Sequence, residues 1–209
     1  IIPDSASKPQ FKPEVETISN GVPIIHIQNP NSAGVSRNWY QKFDVDKQGA
    51  VLNNSLNISQ TQQAGWIKSN PNFDQATAKV ILNEIYQSEK TKLNGFLEVA
   101  GDKAKVIVAN PSGITCNGCG IINAHQFTLS TGIPQFDEKG QLKDFKVKSG
   151  DVILEGMGLN ANEADYTKII ARAAELNAKI WTKELVLSLG ANEISDAPKP
   201  EFALDVKAI

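Results

Sequence analysis

The two cysteines of the chain, Cys116 and Cys119, stand on either side of Asn117-Gly118, and a pair at that spacing supports three chemistries. A thioredoxin-like redox couple needs a helix N-terminus to lower one thiol's pKa, whereas the next residues, Gly120-Ile121-Ile122, read as strand. A zinc site needs four ligands, and only His26 and His125 are available to complete the set. The third reading is a local disulfide that staples an Asn-Gly turn in an oxidising compartment. It asks for nothing else in the sequence and is favoured, although so small a loop contributes modestly.

The remaining candidates do not converge. His26 lies within Ile24-Ile25-His26-Ile27 and His125 comes after Asn123-Ala124, so both read as structural or surface histidines. Asp44 and Asp46 flank Val45, and alternation places them on one strand face, as an acid pair or calcium site would need. A solvated strand face is the favoured reading. Glu98, Asp102, Asp137, Glu138 and Asp151 are dispersed. No Gly-x-Ser-x-Gly or phosphate-binding loop is present, and Gly156-Met157-Gly158 lacks the third glycine of a dinucleotide fingerprint. The expectation is a protein that is not an enzyme, with no cofactor and no metal.

Two tetrapeptides, Asn70-Pro71-Asn72-Phe73 and Asn110-Pro111-Ser112-Gly113, are turn formers. Asn before Pro is held extended, its side chain can close an Asx-turn, and Pro presets the next residue. Asn29-Pro30-Asn31 has the same character, so the dipeptide alone does not mark function.

The elements that must position these residues are short. With 41% hydrophobic residues and a net charge of -2 over 209 residues, the chain can bury its own core and is neither disorder-like nor polycationic. Nucleic acid is excluded as a partner by that balance. Apolar runs such as Val106 to Ala109 are strand-sized, far from a membrane-spanning helix. The start at Ile1-Ile2-Pro3-Asp4 reads as that of a mature or excised fragment.

Residues 1–17, with Pro3, Pro9 and Pro13, read as an extended leader, and 18–209 as a single domain. Strands are expected at Val22 to Ile27, Phe43 to Val45, Ala50 to Leu52, Val80 to Ile85, Phe96 to Val99, Lys105 to Ala109, Ile121 to Asn123, Phe127 to Leu129, Val152 to Leu154 and Leu185 to Leu189. Asn-Gly turns punctuate them at Asn20-Gly21, Asn94-Gly95 and Asn117-Gly118. This pattern fits a sandwich, a barrel or a β-helix, and periodicity does not choose among them. From Tyr166 to Trp181, Ile169, Ala173, Leu176 and Ile180 fall at helical spacing. The same stretch also reads at period two, and local propensity favours the helix.

The order of these features is more specific than any one of them. Gly49-Ala50-Val51-Leu52-Asn53-Asn54-Ser55, Gly65-Trp66-Ile67 before Asn70-Pro71-Asn72-Phe73, Gly95-Phe96-Leu97-Glu98-Val99-Ala100-Gly101, and the run from Val108-Ala109-Asn110-Pro111-Ser112-Gly113 through Cys116-Asn117-Gly118-Cys119 to Asn123 occur in that order. Together they resemble the two-partner secretion domain that opens filamentous haemagglutinins, haemolysins and contact-dependent growth inhibition proteins. The likeness spans roughly 18–194. Phe73 stands where the family's Asn-Pro-Asn-Leu motif ends in Leu, and Ser112 stands third in its Asn-Pro-Asn-Gly motif.

The resemblance implies an all-β fold: a right-handed parallel β-helix with N-terminal capping strands and a small extra-helical antiparallel sheet. On that ground 166–181 is expected to be mostly strand, against local propensity. It also implies a secretion signal of a TpsA exoprotein, a monomer recognised by the POTRA domains of a TpsB-type outer-membrane β-barrel transporter. Asn70, Pro71, Asn72, Phe73, Asn110, Pro111, Ser112 and Gly113 would be the secretion motifs. The product would be secreted to the surface of a Gram-negative bacterium and nucleate β-helix folding there. The parent would be an adhesin or a contact-dependent inhibition toxin that meets a target-cell receptor. The alternatives are an adhesin domain binding glycans or a receptor itself, and a β-helical carbohydrate-active enzyme. The enzyme needs charged residues converging on a groove, and the chain has only Arg37 and Arg172 as arginines.

Overall fold

The computed structural model describes residues 1–196. Its strands recur in a fixed rotation, each stacking in parallel on the equivalent strand of the coil before it, which makes a parallel β-helix. The first sheet stacks Pro23–His26, Ala50–Asn54, Phe96–Gly101, Cys119–Ile122, Leu159–Ala161 and Ile180–Thr182. The second stacks Val35–Lys42, Val80–Ile85, Ala104–Ala109, Ala124–Ser130, Tyr166–Ala171 and Leu185–Leu189. A third, shorter sheet stacks Thr91–Leu93, Ile114–Cys116, Asp151–Leu154 and Ala173–Leu176.

Alternation along each strand sends every second side chain inward, and the parallel register stacks like on like. Ile25 pairs with Leu52 and Leu52 with Val99 in the first sheet. Ile81 pairs with Val106 and Val106 with Phe127 in the second. All six are buried in one continuous core, so each added coil buries a further apolar layer. The corners between sheets are tight. At Gly158, with φ of +74°, a Cβ would lie 1.9 Å from the Lys179 carbonyl oxygen of the next coil, so no side chain fits.

Two antiparallel additions decorate the solenoid. Ser59–Thr61 and Gly65–Ile67 form a hairpin, and Val22, Ile24, Val51, Ile67 and Ala100 make a small separate core beside the first sheet. Ile133–Phe136, Leu142–Lys146 and Glu193–Ser195 form an extra-helical sheet. It packs Phe145 and Val147 with Leu82, Ile107, Ala109 and Ile170 of the second sheet.

Within residues 1–17, Ile2–Pro3 pairs antiparallel with Val35–Lys42 and Glu14–Thr17 with Pro23–His26. Each covers the edge that the first coil would otherwise expose. The helix favoured by local spacing between Tyr166 and Trp181 does not form: Tyr166–Ala171, Ala173–Leu176 and Ile180–Thr182 are strands of the three sheets. Tyr166–Ala171 pairs on both sides, with Ala124–Ser130 and Leu185–Leu189, and these non-local bonds outweigh a weak local preference. The strand expected at Phe43 to Val45 reduces to one bridge, Val45 to Leu93. Conversely, Val35–Lys42, at eight residues, carried no strand signal because Ser36, Arg37, Asn38, Gln41 and Lys42 break the apolar pattern.

Candidate functional site

The two Asn-Pro tetrapeptides make the same turn in successive coils but at different corners, Asn70 between the first and second sheets and Asn110 between the second and third. Asn70 is buried, and its side-chain oxygen accepts the Asn72 N–H at 2.9 Å while its backbone carbonyl accepts the Phe73 N–H at 3.3 Å. Its Nδ2 donates to the backbone carbonyls of Ile27 and Asn53, each at 2.8 Å. Asn110, fully buried, repeats the pattern: Oδ1 accepts the Ser112 N–H at 2.9 Å and the carbonyl accepts the Gly113 N–H at 3.0 Å. Its Nδ2 donates to the Glu89 carbonyl at 2.9 Å and to Thr91 Oγ1 at 3.0 Å.

Each asparagine therefore closes a turn with its oxygen and ties that turn to the preceding coil with its amide. Asn110 also reaches forward, its N–H donating to the Ser130 carbonyl at 2.9 Å. Around them, Asn72 Nδ2 donates to the His26 carbonyl at 3.0 Å, and Phe73 packs against the main core. Ser112 Oγ donates to the Gln87 carbonyl at 3.0 Å, and Gly113 sits at φ +117°. Pro71 is exposed and Pro111 half-buried. Asn29-Pro30-Asn31 differs: Asn29 makes a surface contact, Nδ2 to Asp74 Oδ2 at 2.8 Å.

Cys116 and Cys119 are bonded, with Cα atoms 5.3 Å apart, and both are buried in the main core. The bond spans the corner from the third sheet to the first, next to the Asn110 turn along the chain. Asn117 Oδ1 accepts the Met157 N–H at 3.1 Å, fastening this corner to the next coil.

The dispersed titratable groups also serve the scaffold. His26 is buried, with Nε2 at 3.1 Å from Glu16 and Nδ1 at 3.1 Å from Asn53 Nδ2; His125 is exposed. Hydrogen bonds from His26 and Lys68 hold the Glu16 carboxyl below its usual range. Glu98 caps the Ser59–Ile67 hairpin by accepting the N–H groups of Gln62 and Gln63. Asp137 accepts the N–H groups of Lys139 and Gln141 in the other hairpin. Asp44 accepts the Lys92 N–H at 2.9 Å and Asp46 is exposed. Among the described residues no group of three or more His, Cys, Asp or Glu is arranged to hold a metal ion.

One cluster escaped sequence reasoning. The Glu84 carboxylate is fully buried and accepts Arg37 Nε at 2.9 Å, Arg37 Nη2 at 2.7 Å, Trp39 Nε1 at 3.0 Å and the Tyr86 hydroxyl at 2.5 Å. The Arg37 guanidinium lies 4.8 Å from the Phe11 ring centroid and 4.0 Å from that of Phe136. Burial, then the neighbouring Glu84 charge, pushes the Tyr86 hydroxyl well above its ordinary pKa. The cluster joins the N-terminal segment, the first two coils and the extra-helical hairpin. Its sequence signal is a lone acid in the apolar run Ile81-Leu82-Asn83-Glu84-Ile85 of a chain poor in arginine.

A family model described as "TPS secretion domain" matches residues 1–206. The chain is 44% identical over 197 residues to "Toxin CdiA" of Yersinia pestis, covering 94% of this chain and 6% of that protein. It is 40% identical over 213 residues to "16S rRNA endonuclease CdiA" of Enterobacter cloacae, again covering 6% of that protein. The chain thus spans about 6% of the length of these curated relatives. The crystal structure of a filamentous hemagglutinin secretion domain superposes with a TM-score of 0.84 at 33% identity, over 93% of this chain and 65% of that one.

Proposed function

Because the chain belongs to the TPS secretion domain family, we propose that it is the export signal of a much longer exoprotein of a Gram-negative bacterium, a contact-dependent inhibition toxin or a haemagglutinin. Its partner is a TpsB-type outer-membrane β-barrel transporter, whose periplasmic POTRA domains capture the chain as a monomer. The domain then nucleates β-helical folding of the rest of the exoprotein at the cell surface.

The observation that carries this reading is the asymmetry of the solenoid. Antiparallel strands cover the first coil, whereas the last stacked strands, Ile180–Thr182 and Leu185–Leu189, have no further partner among the described residues. Unpaired N–H and C=O groups along such an edge are a template for the next coil.

The burial of these asparagines supports a particular time of action for the proposed secretion motifs. Asn70 and Asn110 have their side-chain groups hydrogen-bonded inside the folded domain, so a transporter reads these turns before the coils close. An extended segment can then join a sheet edge of the transporter by main-chain hydrogen bonds. After export the same asparagines lock each coil to the one before.

The test is release from a Gram-negative host with and without the cognate transporter, comparing the native chain with Asn70→Ala, Asn110→Ala and the exposed-site control Lys139→Ala. Release should require the transporter, fall in both asparagine variants and stay unchanged in the control. Folded protein retained in both hosts would overturn the reading.

A further inference from the structure

On the outer side of the first sheet, beside the Ser59–Ile67 hairpin, runs a groove of about 500 Å³ whose lining includes Gln62, Gln63, Phe96, Asn160, Asn162 and Glu163. Its floor follows a row of residues in register, Phe96 beside Gly120 and Gly120 beside Asn160, and beyond the groove the same row continues to Trp181. A Cβ on Gly120 would meet Phe96 Cε1 at 2.3 Å and the Asn160 carbonyl at 2.4 Å. The Phe96 ring therefore lies across Gly120, along the sheet rather than upright from it, and a ring so placed turns a face to solvent. At the far end of the row Trp181 is 43% exposed. Coils stacked about 4.8 Å apart put the backbones of the two aromatic residues about 14 Å from one another, and the Phe96 ring leans one strand closer.

The polar groups around this floor are largely uncommitted. Gln63 holds the rim, its Nε2 donating to the carbonyls of Ala50 and Phe96 at 3.3 Å each. The side chains of Gln62 and Asn162 have no hydrogen-bond partner among the described residues. Asn160 commits its Oδ1 to the Asn162 N–H and Glu163 its Oε2 to the Asn123 N–H, leaving Asn160 Nδ2 and Glu163 Oε1 open. Planar amides that offer donor and acceptor side by side, flanking an aromatic face, suit a ligand with hydroxyls on its edge and C–H groups on its face.

The same features exclude other occupants. Only one charged side chain lines the groove, and no cation, so a phosphate-bearing or polyanionic ligand finds no counter-charge. The floor strands Phe96–Gly101, Cys119–Ile122 and Leu159–Ala161 are paired on both sides, so within the groove an extended peptide has no edge to join; the open edge lies beyond it, at Ile180–Thr182.

We propose that this groove binds a neutral linear oligosaccharide, with one sugar face stacked on Phe96, hydroxyls held by Gln62, Asn160, Asn162 and Glu163, and the end of the chain reaching out of the groove onto Trp181 of the neighbouring strand. The site is independent of the export reading, and its loss leaves secretion unchanged.

The experiment titrates the isotope-labelled chain with cellohexaose, maltohexaose and chitohexaose, and with a heparin hexasaccharide as the charged comparison, tracking side-chain amide and indole resonances. At least one neutral hexasaccharide should shift Gln62, Asn160, Asn162 and the Trp181 indole saturably. Phe96→Leu and Asn162→Ala should each weaken that binding about tenfold, the loss of about one good contact. Asn162 is exposed, so its variant keeps the fold when Phe96→Leu disturbs it. Absence of a saturable shift with all three neutral sugars, shifts confined to another face, or an equal response to the heparin fragment would each refute the site.

Discussion

The two ends of the solenoid are built on opposite rules. At the N-terminal end, antiparallel strands lie on both long sheets and a buried carboxylate gathers four donated hydrogen bonds. At the last coil Trp181, Leu187 and Leu189 stand exposed. A stacked fold is approximately a sum of coils and the interfaces between them, so the end with a single interface is the one that opens first. The difference separates two tasks: one end stops growth and fixes the register, and the other leaves a place for the next coil.

The sharpest way to break this comparison is Arg37→Ala. It leaves the Glu84 carboxylate buried without its bidentate partner and should cost about 3–5 kcal/mol in urea unfolding. A cost no larger than that of a last-coil substitution would mean that the two ends are equally secured. Next, Asn110→Ala removes the amide that ties one coil to its predecessor and should cost about 2–3 kcal/mol, because the buried Thr91 hydroxyl and the Glu89 carbonyl lose their donor and the Ser112 N–H its acceptor. Converting both Cys116 and Cys119 to Ala opens a loop with a sequence separation of 3 and should cost about 2 kcal/mol by the chain-entropy estimate. Calorimetry of the double variant reads it directly.

At the open end, Leu187→Ala should cost less than about 1 kcal/mol, since that side chain is already 40% exposed. Backbone amides of Leu185–Leu189 should exchange by local opening, well before those of Val80–Ile85. Equal protection at both places would erase the distinction. The smallest effect belongs to Glu16, at the capped end and half-exposed. Because His26 and Lys68 lower its folded pKa, its contribution is complete above its ordinary value of 4.5 and is lost as pH falls through the lowered one. Glu16→Gln should flatten that acid limb of the melting curve and leave neutral pH nearly untouched.

Much of this arrangement was legible from the residues alone. The apolar runs at Ala50 to Leu52, Val80 to Ile85 and Lys105 to Ala109 became core strands, since alternation and β-branching act within a few residues. The Asn20-Gly21 and Asn117-Gly118 bends and the turns at Asn70-Pro71 and Asn110-Pro111 fell where their backbone preferences put them, whereas Gly95 takes no positive φ and is needed because a Cβ there would lie 2.0 Å from the Asp46 carbonyl oxygen. The local reading failed where distant partners decide the outcome. Tyr166 to Trp181 spaces its apolar residues like a helix, yet its backbone is claimed by strands on either side. Val35–Lys42 looks like surface, yet it is the second sheet's first parallel strand.

The candidate site divides in the same way. The sequence by itself determined that the tetrapeptides at Asn70 and Asn110 turn the chain, and that Cys116 and Cys119 stand close enough to bond. These are properties of neighbouring dihedrals and short loops. Only the tertiary structure decided that both asparagine amides reach back into the preceding coil, and that Arg37 meets Glu84 across 47 residues of chain. It also decided that Phe96 lies across Gly120 in a row ending at Trp181. Coil register is a non-local quantity: it is set by which strands stack, and a sequence pattern of period two fits any even shift equally well.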